Sequence, residues 1–331
     1  MTLTQTALDR EMLLVPVPTT GAGPRPAPSA PEGGPGTGEP DERGGPVRDP
    51  ADVSPLVAVV RPALIVVAVL AFGMVLQLTV VSSLAHRSAQ ASLYNQLRTE
   101  LALGTAPLGP VDQQGHAIAP GTPIALITIP SIGVKQVVVE GTTSPALAKG
   151  PGHLRSTVFP GGSGTSVIFG RAAAYGGPFG RIPGLQKGDR VTVVTGVGTS
   201  VFRVVDVRHA GGKVKVAPAG TSRLTLGTAS GSAYVPSGVT YVDAAKVGKP
   251  LAAQSPLVTA VLPSERPFGI DTSTLWALLL WLEAFALVLA GAVWTWRRQG
   301  HAQAWIVFTA PFLLVWMFIA DQITRILPNL L

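Results

Sequence analysis

The sequence predicts a mainly β protein held in a membrane: an eight-stranded closed β-barrel with three transmembrane α-helices, one before the barrel and a two-helix hairpin after it. Three observations carry this. Apolar residues fill 47% of the 331 positions and charged residues only 13%, so part of the chain belongs in lipid. Three segments are apolar over about 20 residues, enough to cross a hydrocarbon core. Between the first and second of these the chain breaks into short Val-, Ile- and Thr-rich runs separated by Gly and Pro, the pattern of a closed antiparallel sheet.

Residues 1–55 form a tail rich in Pro, Gly and acids, with little to bury beyond the stretch Ala7–Val15, and are expected to be disordered and cytoplasmic. The first thirty residues lack the apolar core of a cleavable leader. Residues 56–84 make the first span, with Pro62 to Leu84 free of charge. A stalk and loop follow over 85–123, helical across Leu93–Leu103. The barrel occupies 124–262, with strands expected at 124–129, 134–139, 165–169, 190–195, 200–207, 213–216, 223–228 and 239–244. A linker, 263–274, leads to the hairpin: a span at 275–296, a cytoplasmic loop at 297–303 containing Arg297 and Arg298, a span at 304–327, and an extracellular end at 328–331. The basic loop sets the orientation by the positive-inside rule, placing the N-terminus in the cytoplasm and the barrel outside a multi-pass protein of the cell membrane.

Charge is distributed unevenly. Residues 1–55 carry four Arg against eight acids, whereas residues 85–270 carry seventeen Lys or Arg against seven acids. A basic outer domain favours lipid headgroups or an anionic wall polymer; without an interleaved aromatic and basic stripe, nucleic acid is not implied. The chain has no cysteine, which excludes disulfides, thiolate catalysis and cysteine-ligated metals. No His-Glu-x-x-His, calcium-loop or phosphate-cradling pattern is present, so no metal and no cofactor is implied.

Ionisable groups inside spans are costly and point to contacts. Gln77, Glu283 and Asp321 lie at similar depth, about 9–12 Å from the outer ends of their helices at ~1.5 Å per residue. Asp321 and Arg325 are spaced i, i+4 with the acid first, the favourable order for a helical ion pair. These four residues are candidates either for docking the hairpin on the first helix or for contact with another membrane protein.

An ordered set of motifs covers most of the outer domain: Ile127-Thr128-Ile129-Pro130-Ser131-Ile132-Gly133-Val134, Val139-Glu140-Gly141-Thr142, Leu147 to Leu154 with its Gly-Pro-Gly-His turn, Phe159-Pro160-Gly161, Val167-Ile168-Phe169-Gly170, Pro178-Phe179, Leu185 and Gly188-Asp189. In this set residues 124–245 resemble the sortases, surface transpeptidases of Gram-positive bacteria, and particularly the housekeeping-type, class E-like sortases of actinobacteria. The resemblance implies a sortase-like barrel and a groove for an extended peptide. It also implies a cysteine nucleophile, a histidine that moves protons and an arginine that stabilises the oxyanion.

At those positions this chain departs from the family. Arg171 follows Gly170 where the histidine belongs, and a guanidinium does not shuttle protons near neutral pH. Ala229 ends the strand Thr225-Leu226-Gly227-Thr228-Ala229 where the cysteine belongs. Counting back from Tyr241 places Val239 or Thr240 at the arginine position. The expectation is a pseudoenzyme: a non-catalytic binding module or a subunit of an envelope complex, with Arg171, Tyr175, Thr228 and Ser230 lining its groove. Its partners would be membrane lipid and another membrane or envelope protein, with an extended peptide or wall polymer as further ligands. The alternative is a residual transpeptidase or hydrolase using Ser230; His153, the nearest motif histidine, belongs to a structural turn in the family.

Overall fold

A computed structural model of the chain describes residues 55–331 apart from 113, 210–215, 253–254, 259, 271 and 273. The expected cytoplasmic tail before residue 55, its Ala7–Val15 stretch and most of the expected strand at 213–216 lie outside the described residues.

Helix α1 (Pro55–Leu76) runs through a π-helical segment, Gln77–Val81, directly into helix α2 (Ser82–Leu103). The first span and the expected stalk are thus one unbroken helical column. It stops at Gly104, whose φ of 69° supplies the left-handed cap that lets its N–H reach back to the carbonyls of Glu100 and Leu101. A widened turn frees carbonyls that an α-helix would use. Here the Leu78 carbonyl accepts from Ser82 Oγ at 2.6 Å and from the hydroxyl of Tyr234 at 3.2 Å, so a barrel residue docks on the irregular turn.

The barrel strands are β1 (Pro123–Ile129), β2 (Val134–Glu140), β3 (Gly152–His153), β4 (Gly164–Phe169), β5 (Arg190–Thr195), β6 (Gly198–Arg208), β7 (Ser222–Ser232) and β8 (Val235–Lys246). They close in the order β1-β2-β3-β4-β7-β8-β6-β5. The ring is not wholly antiparallel: β2 pairs β3, and β4 pairs β7, in parallel. Parallel neighbours need a crossover, and the first is made by the short helix α3 (Ser144–Lys149). Strand β3, two residues long, takes the eighth place where the run at 213–216 was expected; such a segment carries no readable period. Inside the ring Ile124, Ile127, Ile129, Val191, Val193, Phe202, Leu224, Leu226 and Val242 form one dry cluster, supplied by alternate residues of each strand.

Helices α4 (Leu275–Gln299) and α5 (His301–Ile326) form the hairpin after the barrel. With the first column they make three helices long and apolar enough to cross a membrane. The turn is far tighter than a loop at 297–303: helix continues on both sides of Gly300, whose φ of 95° makes the reversal. Trp281 stacks on Phe318 with ring centroids 4.3 Å apart. Trp316 of α5 also lies against α1 at Gly73, where a methyl group would sit 2.8 Å from its indole nitrogen.

Helix α2 also completes the sheet. Leu93 and Leu97 pack on Val137, Val139 and Ala146. Beside them Gln90 accepts from the Val137 N–H at 2.7 Å and donates to the Val137 carbonyl at 3.1 Å and the Lys149 carbonyl at 2.8 Å. Its amide stands in for a neighbouring strand along the stretch of β2 that β3 is too short to cover. Removing it leaves buried main-chain groups without partners, at about 1–3 kcal/mol each. Gln90→Ala is therefore expected to lower unfolding stability by about 2 kcal/mol in chemical denaturation, whereas substitution of the exposed neighbour Ala91 by Gln should have little effect.

Candidate functional site

The cleft forms where β7 and β8 leave the barrel. Strand register places Ala229 opposite Val239, Gly227 opposite Tyr241 and Thr228 opposite Thr240. Paired residues share a face and successive residues alternate, so Ala229, Val239 and Tyr241 project together. They join Leu147, Leu154, Val167, Phe169 and Leu330 in an apolar cluster. Thr228 and Thr240 take the other face; both are buried, and Thr228 Oγ1 donates to the Gly170 carbonyl at 3.0 Å. The residue beside Ala229 in the cleft is thus Val239. Thr240, one residue on, takes the opposite face because successive strand residues alternate; the bulge at Ser230/Gly231 lies beyond this pair, toward the hairpin.

Arg171 follows β4 and turns inward. It is 0% exposed, so it is a buried charge and not a solvated one. Its Nη2 donates to Ser144 Oγ at 2.7 Å and to the Ser144 carbonyl at 3.3 Å, and its Nη1 donates to the Leu331 carbonyl at 3.1 Å. The guanidinium lies 4.9 Å from the Tyr175 ring centroid, a cation–π distance. No Asp or Glu side chain pairs with it among the described residues, and Nε is buried without a partner. Burial lowers its pKa to about 10, so the group stays cationic at neutral pH. Burial likewise raises the Tyr175 hydroxyl, with the Arg171 charge opposing it. Tyr175 itself sits at φ 54°, its N–H bonded to Ser82 Oγ at 3.2 Å, which holds the Arg171 loop against the helical column.

Of the four expected groove residues, Arg171 and Tyr175 are in contact, whereas Thr228 faces away. Ser230 is half-buried; its hydroxyl has no hydrogen-bond partner, and its carbonyl accepts from Ser237 Oγ at 3.3 Å. No imidazole reaches it among the described residues. His153 is committed to Glu140 at 3.0 Å and to the Val158 carbonyl at 3.0 Å. His86 is committed to the Ala148 carbonyl at 3.2 Å and to Gln136 Oε1 at 3.0 Å. Thr157 Oγ1, 3.2 Å from His153 Nε2, gives its own proton to the Leu154 carbonyl.

The four polar groups of the spans separate into three environments. Asp321 and Arg325 form the expected i, i+4 pair at 2.9 Å. Gln77, 7% exposed, sits in the π-helical segment that touches α5. Glu283 is exposed on α4, with no hydrogen bond or ion pair among the described residues; it does not dock the hairpin on α1. At the far end of the sheet Arg190, Arg203, Lys246 and Lys249 line an open concavity of about 410 Å³.

With this geometry in place, comparison with known proteins is direct. Residues 127–237 match the family model described as the sortase domain. The barrel is a sortase-like domain. Sortase D of Bacillus subtilis is 28% identical over 88 residues, 27% of this chain and 43% of the relative, so the chain spans less than half the length of the curated relative it matches. Among solved structures, the Clostridium perfringens Sortase D5 transpeptidase aligns at 22% identity and a TM-score of 0.41, over 49% of this chain and 99% of that one. Sortase E1 from Streptomyces coelicolor, with a tripeptide in its active site, aligns at 22% identity and a TM-score of 0.35, over 41% of this chain and 94% of that one.

Several residues of the sortase-like site were not singled out from sequence. Ser144 and Leu331 bind Arg171, and Glu265 anchors the segment after the barrel: fully buried, it pairs with Arg155 at 2.6 Å while its carbonyl accepts from Thr142 Oγ1 at 2.7 Å. Because breaking a buried pair leaves an uncompensated charge, at about 3–5 kcal/mol, Glu265→Ala is expected to release residues 263–269 from the barrel. Limited proteolysis should cut there at least ten times faster than in the parent chain.

Proposed function

We propose that this protein is a catalytically inactive sortase-like scaffold, integral to the cell membrane, with the barrel on the outer side and the N-terminus in the cytoplasm. The observation that carries this reading is the state of Arg171. At the position where the resemblance puts the proton-moving histidine stands a sealed guanidinium whose Nη groups are engaged within the chain, and such a group gives up no proton near neutral pH. Ala229 and Val239, at the positions of the nucleophile and the oxyanion arginine, offer only alkyl groups. Acyl transfer needs a nucleophile, a base and an oxyanion donor, and all three are replaced together.

The class E-like, actinobacterial assignment rests on the motifs quoted from the sequence. The scaffold acts as a subunit of an envelope complex. Arg297 and Arg298 in the hairpin turn support the orientation. Glu283, projecting from α4, supports contact with a second membrane protein, since a carboxylate in a span calls for a donor or cation. The concavity lined by Arg190, Arg203, Lys246 and Lys249 suits an anionic wall polymer or lipid headgroup.

The unpartnered hydroxyl of Ser230 favours the second reading, a residual hydrolase. The purified full chain in detergent, incubated with fluorogenic sorting-signal peptides, is expected to release no product above the buffer rate, with the Ser230→Ala variant indistinguishable from it. Turnover by the parent chain that disappears in Ser230→Ala would overturn the proposal.

A further inference from the structure

Helix α5 ends at Ile326, and the residues after it do not run off into solvent. Asn329 donates from Nδ2 to the Ser264 carbonyl at 2.7 Å and to the Arg266 carbonyl at 2.8 Å, while its N–H bonds the Gly269 carbonyl at 3.2 Å. Leu330, 0% exposed, enters the socket of Ala229, Val239 and Tyr241, and its carbonyl accepts from the Ala172 N–H at 2.9 Å. Leu331 is buried, with its carbonyl on Arg171 Nη1. Higher up, Ser144 Oγ donates to the Arg325 carbonyl at 2.7 Å and accepts from Arg171. Three successive residues thus each make a main-chain or side-chain hydrogen bond to the barrel or its linker, and one fills an apolar socket.

This is how a bound peptide is held: main-chain bonds give affinity and a side-chain pocket gives selectivity. The segment differs from a ligand only in being covalently joined to α5. The environment of Arg171 is an independent sign of the same thing. A sealed guanidinium with an idle Nε and no Asp or Glu side chain paired to it among the described residues is a site suited to accept more acceptor oxygen than the described residues supply.

We propose that residues 328–331 act as a ligand in cis, latching the membrane hairpin to the barrel and closing the cleft. The chemistry the cleft selects is a short segment with a branched apolar side chain followed by an acceptor oxygen over Arg171. Such a segment supplied in trans binds only when the latch is displaced. The proposal rests on the packing of residues 328–331 and is independent of whether any catalysis survives at Ser230.

The absence of cysteine from the chain makes a direct test available. Ala172→Cys and Leu330→Cys, introduced together into the full chain with a protease site between β6 and β7, place one thiol on each side of the cleft. After mild oxidation in native membranes and cleavage, most chains are expected to stay joined on a non-reducing gel. A control pair, Ala172→Cys with Val216→Cys, should separate. Joining no greater than the control's would overturn the latch.

The ligand character is read with a fluorescein-labelled Leu-Pro-Asn-Leu-Leu peptide. It is expected to bind the folded Leu330→Asp chain at least tenfold more tightly than the parent chain. Equal binding to both, or none to either, would mean that the segment is ordinary packing and not a displaceable ligand. Should Leu330→Asp fail to fold, the same comparison is made with the peptide on the Ala172→Cys, Leu330→Cys chain, reduced against oxidised. Weaker binding in the oxidised form is expected, and no difference would overturn the claim.

Discussion

A guanidinium shut away from water must find acceptors for its N–H groups or impose a cost of several kcal/mol on the fold, and Arg171 finds them in parts of the chain remote in sequence. Ser144 opens the crossover helix, Leu331 follows the last membrane helix, and the ring of Tyr175 belongs to the loop that leans on Ser82. Each is therefore constrained by the same side chain. With no Asp or Glu side chain paired to it among the described residues, the guanidinium is met by main-chain and hydroxyl oxygens and by the face of an aromatic ring. That makes the arrangement sensitive to the placement of every partner. The barrel, the first helical column and the hairpin meet at this point.

The same junction shows how the three long apolar helices and the barrel become one body. Contact at the column comes from irregularity: the π-helical turn exposes the Leu78 carbonyl to Tyr234, and Ser82 holds the Tyr175 loop. Above it Gln90 borrows the role of a strand for β2. At the hairpin, the last turn of α5 and the residues after it pack into the cleft. A barrel tied at three places to the long helices is held in a definite attitude to them, which suits the proposed scaffold better than a loosely tethered domain would.

Much of the fold was legible in the sequence because β-branched runs and long apolar segments signal their structure locally. The first strand pair, β4 to β8 and the three spans all follow from such signals. The two parallel seams were not legible, since they depend on crossovers, and β3 is too short to show alternation. The choice between Val239 and Thr240 turned on which residue of β8 stands opposite Ala229, which is a matter of pairing register between the two strands. Counting along β8 alone could not find it, because register is set by the partner strand. At the site itself the substitutions at 171 and 229 were plain from the motifs. What Arg171 does was hidden, because its partners are separated from it by 27 and 160 positions. Nothing in the tetrad Pro328-Asn329-Leu330-Leu331 marks it as an occupant until the cleft is in view.

The central claim is that Arg171 and the Leu330–Leu331 segment hold the cleft closed in the resting protein. Amide hydrogen exchange by mass spectrometry on the full chain in lipid nanodiscs measures this most directly, through the Ala172 N–H that bonds the Leu330 carbonyl. The account predicts that peptides covering 171–175 and 327–331 exchange as slowly as the strand core of β7. Exchange of both within seconds, with β7 protected, would contradict it.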